Sequence, residues 1–100
     1  MVYITQLIYL QAGQEEVFDE FEGLAIPLIK KYRGELVIRL RPAQAAVIDT
    51  GIEPPYEIHL VKFPTETDFQ AFLQDEERQQ FLHLKERAIR SSVLIRGEKL

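Results

Sequence analysis

Apolar and polar residues follow two different periods along this chain, and the switches between them predict its elements. Residues 2–10 (VYITQLIYL) are rich in β-branched and aromatic side chains and read as a strand. Both of its alternating faces are largely apolar, with Val2, Ile4, Ile8 and Leu10 on one side and Tyr3, Leu7 and Tyr9 on the other. A strand with one solvated face alternates more cleanly, so this one is expected to be covered on both sides. After Gly13 the period becomes helical. Val17, Phe18, Phe21, Leu24, Ala25, Leu28 and Tyr32 share one stripe of a helix spanning residues 14–32. Acidic residues crowd its start (Glu15, Glu16, Asp19, Glu20) and basic ones its end (Lys30, Lys31, Arg33), an order that complements the helix dipole. Pro27 removes one backbone hydrogen bond and predicts a kink, and Gly34 predicts the stop.

Residues 35–41 (ELVIRLR) alternate again, Leu36, Ile38 and Leu40 against Val37, Arg39 and Arg41. Residues 43–50 either extend this hairpin or form a short strand of their own. Gly51 to Pro55 is a loop, because Pro54 and Pro55 cannot serve inside a ladder. Residues 56–63 (YEIHLVKF) read as the third strand. Thr65, with Asp68 three residues on, approximates a capping box and opens a second helical region. Its stripe of Phe69, Phe72 and Leu73 resumes out of phase as Phe81, Leu84 and Ala88, which predicts two short helices or one broken near Asp75 to Arg78. Residues 92–96 (SVLIR) are the last strand, with a tail from Gly97.

The order β-α-β-β-α-β predicts an α+β fold of the ferredoxin-like kind: a four-stranded antiparallel sheet with both helices on one face. The other face carries too much apolar surface to stay wet, so pairing with a second copy through it, under two-fold symmetry, is expected. One hundred residues is the length of a single domain, taken as 1–100, and 46% apolar content suffices for one core. The absence of cysteine excludes disulfides, thiolate metal sites and cysteine nucleophiles. A net charge of −4 argues against a phosphate-tracking surface, and residues 35–42 lack the aromatic residues with which RNA-recognition sheets stack bases. No apolar run approaches the roughly 20 residues of a membrane span, and the N-terminus has no basic region of a signal peptide. Cytoplasmic location, no membrane partner and no nucleic-acid partner are therefore expected.

The stretch from Tyr56 to Leu100 resembles the second half of the DUF1330 family in the dimeric α/β-barrel superfamily. There a strand ends in Phe-Pro-Ser/Thr, matched by Phe63, Pro64 and Thr65. The first half is similar as well, with Pro27 in the helix, Tyr32-Arg33-Gly34 after it, and Arg39 in the following strand. Two family features are replaced: Ser-Pro-Glu-Tyr at the helix break by Gln74-Asp75-Glu76-Glu77, and the Gly-Gly after the strand arginine by Leu40-Arg41. The resemblance implies a homodimer with its sheets paired into a barrel. It leaves the reaction open, because one fold hosts many chemistries.

Among polar residues, Arg39 is the first candidate, since a guanidinium beside a cleft can hold a carboxylate or enolate by paired hydrogen bonds. The alternative is an ion pair with Glu35 or Glu57 across the hairpin. His59, between Ile58 and Leu60, is a candidate proton carrier or else a half-buried hydrogen-bonded residue. Gln6, Tyr9 and Tyr56, with Arg39, are candidate ligand contacts. His83 reads as surface. Two histidines without a ligand motif predict no metal, and no cofactor is expected. Two functions remain. One is a homodimer binding a small apolar or carboxylate-bearing molecule between sheet and helices, as a cofactor-independent enzyme. The other is a non-catalytic dimeric interaction or sensor module.

Overall fold

The computed structural model describes residues 1–100. Strand β1 (Val2–Leu10) leads into helix α1 (Glu15–Ile29) and a 3₁₀ turn at Lys30–Tyr32, then β2 (Glu35–Leu40). A second 3₁₀ turn at Gln44–Ala46 precedes β3 (Glu57–Phe63), followed by α2 (Glu66–Leu73), α3 (Glu76–Gln79), α4 (Leu82–Ala88) and β4 (Ile89–Glu98). The strands form one antiparallel sheet in the order β2-β3-β1-β4. This is the split βαβ arrangement expected from the element order. Its shortest dimension is 16 Å, the thickness of one sheet and one layer of helices.

Several local expectations need correction. Residues 43–50 contain a 3₁₀ turn rather than a strand, Pro42 and the Pro54-Pro55 pair leaving little chain free for a ladder. The last strand starts at Ile89 and runs through Gly97, because antiparallel pairing along the whole of β1 holds both ends. The second helical region is three short helices, with breaks at Gln74–Asp75 and at Gln80–Phe81. At the first break Asp75 stops α2 and caps α3, its carboxylate accepting from the Arg78 backbone N–H at 2.8 Å. Thr65 caps α2 through the Asp68 N–H at 3.1 Å, as its spacing predicts.

The sheet faces are set by register. Ile4, Gln6 and Ile8 of β1 stand opposite Val61, His59 and Glu57 of β3 and face the helices. Ile4 and Phe63 pack with Ile29 and Phe69, and Ile8 packs with Phe18 and Ala88. In β2 a bulge interrupts the alternation: Leu36 pairs with Val61, but Ile38 pairs with Leu60. The extra residue, Val37, separates Leu36 from Ile38 and Leu40, which the regular pattern places together. Leu36 enters the core under the helices. Ile38 and Leu40 go to the bare face, where Val93 and Ile95 are also exposed. The same bulge turns Arg39 toward the helix side, opposite His59.

Candidate functional site

A cavity of about 110 Å³ lies between the sheet and the helices. Most of its wall is apolar, including Ile4, Phe21, Ala25, Ile29, Val61 and Phe69. Five polar side chains also line it: Gln6, Glu22, His59, Arg78 and Lys85. Three of these are nearly removed from solvent, Glu22 at 6%, His59 at 4% and Arg78 at 9% exposure. Charged side chains this deep are uncommon without partners.

Each is placed by its element. Glu22 sits on α1 at the same stripe as Phe18, Ala25 and Ile29, spaced four, three and seven residues away, so the helix period carries it inward. Burial pushes its carboxyl up from the ordinary value, with the nearby His59 opposing and Glu57 adding to the rise. Arg78 sits on α3, held in place because Asp75 caps that helix. Asp75 is anchored in turn by Lys31 at 2.8 Å and by the Tyr32 hydroxyl, and these hydrogen bonds hold its pKa well below the carboxylate range. The Arg78 guanidinium donates through Nη1 to the Leu73 carbonyl at 3.3 Å and stacks over the Phe72 ring. Its Nε is buried with no hydrogen-bond partner.

Behind His59 lies a fully buried carboxylate, Glu57. Burial alone would raise its pKa. Hydrogen bonds from His59, Arg39 and Arg41 outweigh that and bring it to about 2. Arg39 Nε donates to Oε2 at 3.0 Å and Arg41 Nε to Oε1 at 2.6 Å, while His59 donates through Nε2 to Oε2. The other ring nitrogen, Nδ1, makes no hydrogen bond to the protein, and the side chain lines the cavity.

Of the residues singled out from the sequence, the fold brings Gln6 and His59 to the cavity. Arg39 stands one step removed, behind Glu57, beside an outer cleft it forms with Leu40, Arg41 and Glu57. Tyr9 lies on the opposite sheet face, where its hydroxyl donates to the Glu53 carbonyl at 2.8 Å. Tyr56 packs edge-on against Phe18 and under the Arg41 guanidinium, away from the cavity. His83 is exposed. Sequence reasoning passed over Glu22 and Arg78. The signal for Glu22 was its place on the apolar stripe of α1; Arg78 had none, because a break in the helices delivers it.

No family model and no curated protein matches the chain. Solved structures do. A protein of unknown function from Rhodopseudomonas palustris, RPA0582, superposes with a TM-score of 0.83 over 99% of this chain and 82% of its own, at 16% identity. A dimeric protein of unknown function and ferredoxin-like fold from Bacteroides fragilis gives 0.71 over 98% and 95%, at 12% identity. A dabb family protein with a ferredoxin-like fold from Mesorhizobium loti gives 0.68 over 99% and 96%, at 15% identity. Likenesses at this level of identity establish the ferredoxin-like α+β fold and leave the chemistry to the site.

Proposed function

We propose that this domain binds a small, mostly apolar molecule with one polar end, in the cavity between sheet and helices. The observation that carries the reading is the convergence of buried Glu22, His59 and Arg78 on an otherwise apolar cavity. Ligand sites have this character, an apolar lining with a few placed polar groups. The volume is close to the roughly 150 Å³ that holds a benzene molecule in an apolar protein cavity, so the ligand is small. His59 is the proton carrier of this site, through Nδ1, and Gln6 a polar contact. Glu57 fixes the histidine ring, and Arg39 acts through Glu57 as a positioning residue.

A second reading, a non-catalytic dimeric binding or sensor module, is favoured by the same Glu57. It engages Arg39 and one nitrogen of His59 in a structural network. In both readings two copies pair through the bare sheet face, supported by exposed Ile38, Leu40, Val93 and Ile95 and by the dimeric likeness from Bacteroides fragilis. Membership of the DUF1330 family belongs with this proposal and rests on the short motifs around Phe63, Pro27 and Arg39.

The test is a titration followed by backbone amide NMR, with propanamide as a small neutral probe. Saturable shifts are expected around Ala25, Val61 and Phe69, and Ala25→Phe, which fills the cavity, should abolish them. Shifts confined to the bare sheet face, or none, would remove the cavity reading.

A further inference from the structure

We infer that this cavity is a receptor for a small organic monoanion, a carboxylate on a short apolar body, with an oxygen seated on Arg78. The inference rests on the ligand-binding reading of the cavity and names its ligand class.

The cavity lacks an acceptor for part of its buried guanidinium. Arg78 is nine-tenths buried, and only Nη1 reaches a protein acceptor, the Leu73 carbonyl. Its Nε is buried and unpartnered. A buried guanidinium N–H without an acceptor bears the full cost of its lost hydration. Lys85, half-buried on α4, also lines the cavity and forms no ion pair. Burial lowers the pKa of both cations, with Arg78 adding to the fall for Lys85, and the opposing pull of Glu22 on both, of Asp75 on Arg78 and of Glu86 on Lys85 does not make it good. The one carboxyl on the wall, Glu22, closes no ion pair with either. Two cations thus face one carboxyl, itself raised by burial. The Arg78 backbone is fixed by the Asp75 cap, itself tied to Lys31 and Tyr32, and its guanidinium is held by the Leu73 carbonyl and the Phe72 ring.

An entering carboxylate supplies the missing acceptor and cancels the excess positive charge. Guanidinium geometry suits a carboxylate, which takes two parallel N–H donors. Glu22 limits the guest to a single negative charge, since a second would stand beside it. Phe21, Ile29 and Phe69 receive the apolar body. At about 110 Å³, against the roughly 150 Å³ that holds the six carbons of benzene, the space suits about four or five heavy atoms.

The experiment compares propanoate with its neutral isostere propanamide by calorimetry at neutral pH, using the intact chain. The carboxylate is expected to bind about tenfold or more tightly than the amide, the scale of a charged hydrogen bond. Arg78→Gln should erase that preference, mainly by weakening the carboxylate, and a far-UV circular dichroism spectrum like the parent's shows that the variant folded. If Arg78→Gln does not fold, Arg78→Lys keeps the charge but lacks the Nε donor, and should lose most of the preference. Glu22→Gln should strengthen carboxylate binding. Equal affinity of the two probes, a preference that survives the loss of Arg78, or weaker carboxylate binding by Glu22→Gln would overturn the inference. The amide would still bind in those cases, and the cavity reading would stand. Binding of neither probe overturns both.

Discussion

The carboxylate of Glu57 offers the sharpest test of how this site is held. It is fully buried, and three donors, on His59, Arg39 and Arg41, converge on its two oxygens. Those bonds bring its pKa from the ordinary 4.5 to about 2. At about 1.4 kcal/mol per pH unit, the difference amounts to about 3 kcal/mol of folding stability. The sign follows from the direction. Above about pH 5 the group is ionised in the folded and unfolded chain alike, and the contribution is whole. As pH falls from about 4.5 towards 2, the unfolded chain takes up a proton that the folded one refuses, and the contribution drains away.

Glu57→Gln isolates the effect. Glutamine keeps the shape but offers one acceptor oxygen and an NH₂ that opposes the incoming donors. Removing one partner of a buried charge pair costs about 3–5 kcal/mol. The lower end applies here, because Arg39 and Arg41 have side chains 35% and 43% exposed and can turn to water. Urea unfolding of both proteins, at one protein concentration and at several pH values from about 7 to about 2.5, is the assay. The variant should be about 3 kcal/mol less stable at neutral pH, and the gap should shrink steadily below about pH 4.5. A gap that stays constant over that range would refute the reasoning, since it would assign the cost to packing rather than to charge.

Two further outcomes follow from packing. In Gly34→Ala the new methyl would stand 2.6 Å from Phe63 Cε1 and 2.7 Å from Ile29 Cγ2, both in the core. The crowding should cost about 1–3 kcal/mol and lower the melting temperature by about 5 °C or more; a melt like that of the parent would show slack around Phe63. On the bare face, Ile95→Glu should turn a dimer into a monomer in sedimentation velocity without unfolding it, because Ile95 is 56% exposed within one chain. An unchanged sedimentation coefficient would remove this face as the contact.

Local sequence signals dictate the kinds of elements and their order. The β-branched and aromatic runs at residues 2–10 and 56–63, the stripe of Phe18, Phe21 and Ala25, and the cap at Thr65 are local signals, and local geometry reads them directly. Those elements in that order leave few topologies, which is why the sheet was legible. His59 and Gln6 were legible as polar interruptions of apolar strands. Packing between elements sets which face each strand turns inward. Both faces of β1 are apolar, and the bulge at Val37 sends Leu36 and Ile38 to opposite sides, which strict alternation does not predict. Tertiary packing also decides the site. Glu57 meets Arg41 across 16 residues, and Asp75 meets Lys31 across 44. Glu22 shares its cavity with Arg78 only because α1 and α3 pack over the same patch of sheet. Periodicity encodes the face of one element at a time, whereas a buried charge is stabilised by whatever distant segment packing places beside it.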